Sequence, residues 1–531
     1  MATLHMFFLV ATTILLALLL LLRFRRVHGD GRRLPPGPPS LLLLFSAAWL
    51  GLTSSPAEAE PLLQRLVRRY GPIVSLRVGS RLAIFVADRR LAHTVLVQRG
   101  AALADRPSFA SARILGADDN YSVTRAGYGP VWRLLRRNLV AGTLHPSRAR
   151  RFTHARFWAR RVLVDKLRRL ADDAEAPAPV TPTFQYAVFY LLLIMCFGER
   201  LDESVVHAIA AAQHEQVRYM FSKMSVFAFL PSVAEHLFRG RVRTMLSLRR
   251  RQKELFLPLI DARREHKDKK PRGEREREPG RSKSETTLEH SYVDTLFDVR
   301  LPEEGNRPLT VDEMVNLCSE FLTAGADTTS TALQWIMAEL VTNQAVQQRL
   351  YEEIKARTKD GHEEVYEEDI QSMPYLKAVV LEGLRKHPPV HFVLPHMAAE
   401  DVEVGGYLVP KGATVNFMVA EMGRDEREWE KPMEFIPERF LAGGRGVDVA
   451  GSTGIRMMPF GVGRRICAGL NIAVLHLLYL VANMVREFEW KEAAGHEVDL
   501  AEKLEFMVVM KKQLRPRLVP RKPNIQTEEH L

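Results

Sequence analysis

The stretch MPFGVGRRICAG, residues 458–469, sets the last of the chain's three cysteines, Cys467, in a loop of glycines and arginines. A disulfide half needs a partner and a packing cysteine needs apolar neighbours; this position offers neither. The residues from Cys467 on, CAGLNIAVLHLLYLVANMV, are apolar and free of proline, which predicts a helix headed by the cysteine. Free N–H groups and the helix dipole favour a thiolate there. Gly461, Gly463 and Gly469 allow positive φ and close approach of the backbone to a flat object. A lone thiolate beside the cationic Arg465, with no second cysteine or histidine near in sequence, does not suit zinc. It suits the fifth ligand of a haem iron, with Arg465 paired to a propionate.

The rest of the chain constrains this reading. With 531 residues, 46% of them hydrophobic, a large core can be buried. Three cysteines are too few and too scattered for a disulfide framework, which points to a reducing compartment. Cys196, in YLLLIMCFG, and Cys318, in VNLCSEFL, read as small buried hydrophobes. A net charge of +12 fits nucleic acid, an anionic membrane surface or an acidic protein. No motif of interleaved aromatic and basic residues supports nucleic acid, and the opening residues favour the membrane.

Those residues carry no charge from Met6 to Leu22, and five arginines come next (Arg23, Arg25, Arg26, Arg32, Arg33). A secreted leader has the opposite polarity, with basic residues first. The positive-inside rule then keeps the chain beyond Leu22 in the cytosol. The chain divides into an N-terminal transmembrane anchor (1–22), a basic, proline-rich hinge (23–40) and one catalytic domain (41–531). A second apolar run, 41–52, is too short to span. Within the domain, IVSLRVG and LAIFVAD (73–88) predict a hairpin. A second strand-rich patch covers 402–420, with VEVGGYLVP and ATVNFMVAE split by a Pro-Lys-Gly turn. The segment 265–290 is a charged loop. Most of the remainder has helical period, so the expected fold is mainly α with a small β-rich region. Thr310 and Glu313 form a capping box before a proline-free run from Val311 to Thr342. Within that helix, AGADTTS (324–330) is a poor helix former. It predicts either a locally opened hydrogen-bond ladder or a packing notch.

Phe460, Gly463, Arg465, Cys467 and Gly469 meet F-x-x-G-x-R-x-C-x-G, and the chain resembles the cytochromes P450 whose haem loop this is. Five fixed positions arise by chance in roughly one chain in ten thousand. The other marks stand in family order: EGLR with PERF resembles the Glu-Arg-Arg triad, implying Glu382, Arg385 and Arg439. WRLLR resembles the W-x-x-x-R helix, implying that Trp132 and Arg136 contact haem propionates, joined by His396 in VLPHMAAED. AGADTT resembles the oxygen-activation motif, implying that Asp327 and Thr328 deliver protons to dioxygen. Gly383 departs from the commoner residue inside EGLR. Longer strings, among them IFVADRRLAH and EGLRKHPPVHFVLPH, are similar to plant microsomal P450s, closest to family 89 subfamily A.

The resemblance implies a P450 fold and a haem b cofactor held by Cys467, with Trp132, Arg136, His396, Phe460 and Arg465 around it. It also implies electrons from NADPH through NADPH-cytochrome P450 reductase, and an endoplasmic reticulum membrane location. The expected reaction inserts one oxygen atom from O2 into a hydrophobic or amphipathic small molecule. By the same resemblance the pocket is lined by 105–128, 205–255, the long helix before Asp327, 390–396 and 506–509. Two other classes remain: a P450-fold isomerase or dehydratase that rearranges a peroxide without reductase, and a non-enzymatic haem or ligand carrier. An intact haem loop and acid–alcohol pair weigh against the first, and nothing in the sequence favours the second.

Overall fold

The computed structural model describes residues 33–38, 56–78, 81–107, 121–172, 177–224, 227, 237–269, 288–358, 364–441, 447–505 and 507–521. The anchor segment 1–22, most of the hinge 23–40, the run 41–52, most of the 265–290 loop, and 108–120 and Phe506 of the pocket segments lie outside these residues.

Helices dominate. In chain order the longer ones are α1 (Pro56–Tyr70), α2 (Pro130–Leu139), α3 (Thr153–Asp172), α4 (Thr181–Phe197), α5 (Glu203–Lys223), α6 (Arg239–Asp268), α7 (Val311–Thr342), α8 (Gln344–Arg357), α9 (Pro374–Lys386) and α10 (Leu470–Glu487). The central one is α7, whose 32 residues run about 48 Å at 1.5 Å each. Its capping box is formed as expected. Glu313 N–H donates to Thr310 Oγ1 at 3.3 Å, and Thr310 N–H donates to the Glu313 carboxylate at 2.7 Å. From Thr329 to Val341 every side chain is buried, so this half has no exposed face and sits in the core.

The helix α4 packs along α7 and is apolar on all sides, buried without a break from Ala187 to Phe197. Gly325 lets them approach closely: a Cβ there would lie 2.8 Å from Leu192 Cδ1. The notch reading of AGADTTS therefore holds, and the opened ladder does not. The helix stays α-helical throughout, because the Thr328 and Ser330 hydroxyls donate to the carbonyls of Ala324 (2.8 Å) and Ala326 (2.9 Å) without displacing them. Cys196 and Cys318 are fully buried, as their surroundings predict. Although α10 is apolar and long enough to cross a membrane, much of it is buried in the body, as a core helix is.

The predicted hairpin is β1 (Ile73–Val78) with β2 (Arg81–Val86), paired antiparallel from Ile73↔Val86 to Val78↔Arg81. Two more strands complete a four-stranded sheet, β3 (His396–Met397) and β4 (Thr414–Phe417), in the order β1-β2-β4-β3. The strand β4 runs parallel to β2 and antiparallel to β3. The 402–420 patch is arranged differently from the simple pair its sequence suggests. VEVGGYLV folds back on itself, Val402 opposite Val409, because Gly405 and Gly406 supply the two positive φ angles a tight turn needs (59° and 82°). The next run, ATVNF, then leaves for the larger sheet as β4.

The described part of the hinge is stitched to β1 and to the 402–409 hairpin. Ser75 donates through Oγ to Pro35 O (2.6 Å) and through N–H to Pro36 O (2.9 Å), and Leu408 N–H donates to Arg33 O (2.9 Å). Glu382, Arg385 and Arg439 meet as the motif implies. Arg385 is bidentate to Glu382 (2.7 and 2.8 Å) and Arg439 Nε adds a third bond at 3.1 Å, with Glu382 and Arg385 fully buried. The remaining donors of Arg385 reach the carbonyls of Gly423 and Pro432, which ties α9 to the segment before the cysteine loop.

Candidate active site

The cysteine loop is built by backbone geometry. At Gly463 φ is +75°, and a Cβ would stand 2.0 Å from the Leu96 carbonyl oxygen, so only glycine lets the loop lie against that chain. Gly461 also has positive φ (65°), and Cys467 N–H donates to Phe460 O at 2.9 Å to close the turn. Gly469 does not fit the expectation of positive φ: at −91° its backbone is ordinary, and its N–H is turned toward the Cys467 sulfur.

Cys467 does not head the helix either, since α10 begins three residues later at Leu470. The side chain is exposed to solvent, although protein atoms crowd around it. Burial pushes its thiol pKa up, and the Gly469 N–H and the Arg136 charge pull the other way without prevailing. The helix terminus stands three residues on, so the N–H nearest the sulfur is that of Gly469, and a metal bonded to sulfur would favour the thiolate further.

Around the loop the structure gathers a cationic cluster. Arg136, on α2, donates to the Ile466 carbonyl next to the cysteine. Arg465 donates through Nε to Ala104 O (2.6 Å) and through Nη2 to Ala126 O (2.7 Å), while its Nη1 is buried with no hydrogen-bond partner among the described residues. Trp132 is buried, and its N–H goes to Val123 O at 3.0 Å. What Trp132 offers the cluster is its ring, with Arg465 Cζ 4.1 Å and Arg136 Cζ 5.5 Å from the centroid. His396, on β3, is buried with Nδ1 2.6 Å from Leu103 O. Burial and the Arg106 charge push its pKa down to about 3, so it is neutral near pH 7.

Arg106 escaped sequence reasoning. It donates to the carbonyls of Thr124 (3.1 Å), Leu394 (2.7 Å) and Pro395 (2.8 Å). Burial, then Arg465 and Arg136, lower its pKa to about 9. Burial likewise lowers Arg465 to about 10, with Asp105 opposing and Arg136 reinforcing. These guanidiniums repel one another and are solvated mainly by carbonyls, which is a site prepared for anionic charge.

Asp327 and Thr328 stand on α7 outside that cluster. Thr328 Oγ1 donates to Ala324 O, and Ala324 is exposed although the helix around it is largely buried. The Asp327 carboxylate turns toward α5, where Oδ1 lies 3.2 Å from His214 Nε2. A small cavity between α4, α5 and α7 is lined there by Phe189, Gln213, His214, Leu322 and Asp327. The carboxylate raises the His214 pKa above its ordinary value, against the opposite effect of burial. Sequence reasoning missed His214 too, since nothing in its neighbourhood marks it.

This arrangement fits a haem. The described residues hold no group of three or more histidine, cysteine or acidic side chains that could bind a bare metal ion. They do offer one sulfur, with guanidiniums and an unpartnered buried Nη1 for a group that brings its own carboxylates.

Comparison with known proteins agrees. The Cytochrome P450 family pattern matches residues 35–517. The chain is 40% identical over 501 residues to Cytochrome P450 89A9 of Arabidopsis thaliana, covering 92% of this chain and 94% of that protein. It is 31% identical to indolin-2-one monooxygenase of Zea mays (92% and 89% covered) and 30% identical to flavonoid 3'-monooxygenase of Arabidopsis thaliana (93% and 92%). A solved zebra fish cytochrome P450 with progesterone superposes with a TM-score of 0.70 at 22% identity, over 87% of this chain and 99% of that one. A thiol loop among arginines, a long central helix and these likenesses agree: the chain belongs to the cytochrome P450 family and is a haem-thiolate monooxygenase of plant type.

Proposed function

We propose that this enzyme is a membrane-anchored monooxygenase. It takes electrons from NADPH-cytochrome P450 reductase and inserts one oxygen atom from O2 into a hydrophobic or amphipathic small molecule. The observation that carries the reading is Cys467 in a glycine loop beside three carbonyl-solvated guanidiniums. Haem, when bound, supplies the activation of oxygen and its transfer. Cys467 would be its iron ligand, and Phe460, the loop residue whose carbonyl accepts the Cys467 N–H, would pack against it. Arg136, Arg465, Arg106 and His396 would hold its propionates, with the Trp132 ring packed against the Arg465 and Arg136 guanidiniums. Two carboxylates there would neutralise the like charges and give Arg465 Nη1 an acceptor.

Asp327 and Thr328 manage protons. Thr328 directs its hydroxyl proton to Ala324 O, which leaves oxygen lone pairs free to accept a further hydrogen bond. Asp327, bonded to His214, connects that position to a histidine half exposed to solvent. Reductase docking needs exposed cations, and the Arg465 side chain turns inward to carbonyls. Arg133, Arg137 and Arg464 are exposed, and Arg133 and Arg464 both lie over the Tyr128 ring (5.4 and 5.5 Å). An acidic surface that meets them gives a reduction rate that falls as salt rises, and a rate insensitive to salt would reject this face. The uncharged run 6–22 and the arginines after it support an anchor in the endoplasmic reticulum membrane with the body in the cytosol.

The decisive experiment is spectroscopic. Reduced protein treated with carbon monoxide should show the red-shifted Soret band of thiolate ligation, and Cys467→Ala should abolish it along with activity. A band typical of histidine ligation in the unmutated protein would remove Cys467 as ligand.

A further inference from the structure

Glu320 lies on α7, eight residues before Thr328 and on the same side as Ala324 and Thr328 by helical spacing. Among the described residues its carboxylate is not paired with a cation. It accepts hydrogen bonds from Ser122 Oγ, from Val123 N–H (2.9 Å) and from Thr124 Oγ1 (2.6 Å). Ser122 is fully buried, and its oxygen also accepts from Arg125 N–H at 2.9 Å, which closes the turn.

The other edge of the same turn faces the cationic cluster. The Val123 carbonyl takes the Trp132 N–H, the Thr124 carbonyl takes Arg106 Nε, and the Ala126 carbonyl takes Arg465 Nη2. Donors on one edge converge on a single carboxylate, and acceptors on the other receive three of the side chains assigned above to the propionates. The peptides between them are oriented from both ends.

Resting on the haem reading, we propose that Glu320 is a positioning residue. By clamping residues 122–126 to α7 it holds the carbonyls that fix Trp132, Arg106 and Arg465, and so it sets how tightly the haem is kept and how its propionate charge is neutralised. Charge-assisted hydrogen bonds are the strong kind, and losing three at once frees the strap.

The test uses full-length holoenzyme in three forms: unmutated, Glu320→Ala, and a double variant, Ser122→Ala with Thr124→Val. Haem loss to an excess of an apoprotein acceptor should quicken roughly tenfold or more in both variants. Amide hydrogen exchange at Val123, Arg125 and Ala126 should rise. The double variant retains the Glu320 charge and leaves α7 untouched. Its iron midpoint potential should fall, since arginines held less firmly screen the propionates less. A general loss of stability would not move that potential. Glu320→Asp should restore part of the haem retention. Unmutated rates of haem loss and an unchanged potential in the double variant overturn the proposal, including the case in which Glu320→Ala does not accumulate as holoprotein. The haem reading fails separately, through the Soret band of the unmutated protein.

Discussion

At the scale of single residues, Asp327 and Thr328 are neighbours in sequence that serve different directions. The Asp327–His214 contact makes a definite electrostatic prediction. The carboxylate raises the His214 pKa, so the ion pair is complete at low pH within the carboxylate's ionised range and is lost as pH rises through that raised value. In Asp327→Asn, the His214 titration followed by NMR should drop back toward its ordinary value, and an unmoved titration would contradict the pairing. Thr328→Ala should keep haem and fold but divert most reducing equivalents to peroxide, measured as product and peroxide per NADPH consumed. Unchanged coupling would mean the hydroxyl takes no part in proton delivery. Cys467, Arg136 and Arg465 were legible in the sequence because each sits in a short motif whose spacing survives without a structure. Arg106 and Glu320 were not. Arg106 is held through carbonyls such as that of Leu394, 288 residues away, and no local pattern encodes such a meeting.

Among the elements, α9 carries an instructive glycine. Propensity alone says that Gly383→Ala should stabilise a helix by about 1 kcal/mol. A Cβ at Gly383 would lie 2.5 Å from Ile336 Cγ1 on α7, in a fully buried contact. Overpacking of this kind costs roughly 1–3 kcal/mol, so the substitution should destabilise, read as a lower denaturation midpoint. A rise in that midpoint would show that Ile336 can give way. The helix α7 was readable end to end because caps and period are local signals. The closed ladder through AGADTTS was not, because whether a threonine hydroxyl opens a helix or simply rests on it depends on the packing around it, here Leu192 against Gly325. The 402–409 hairpin was hidden for a similar reason. Two glycines inside an alternating run mark a turn only once the partner of each flanking strand is known.

Across the whole molecule, a chain of buried charge joins distant segments. His387 lies between Glu339 of α7 (2.7 Å) and Glu502 (3.0 Å), and it stacks on Trp335 at 4.2 Å. Glu502 also binds Arg424, and His391 reaches Glu60 of α1 at 2.5 Å. Burial alone would raise the Glu502 pKa, but His387 and Arg424 bring it down to about 2. A depressed carboxylate stabilises the fold above its unfolded value near 4.5, and that contribution is lost as pH falls from there toward 2. Glu502→Gln should therefore cost up to about 3 kcal/mol near pH 7, and the gap to the unmutated protein should narrow as the solution is acidified. A constant gap from pH 7 to pH 3 would place the effect elsewhere. The fold class was legible because helical period and the haem-loop motif agree, whereas this network joins residues from Glu60 to Glu502 and exists only once the chain is closed. The stitched segment 33–38 bears on how the enzyme is prepared for crystals. Gly37 lies so close to Ser75 that a Cβ would meet the Ser75 carbonyl oxygen at 1.9 Å, and the backbone of Arg33 caps Leu408. A shortened chain that keeps this edge of the sheet covered should thus begin before Arg33. Starting after Pro38, although it trims only a few residues more, would strip the outer edge of the sheet and leave a protein that clumps.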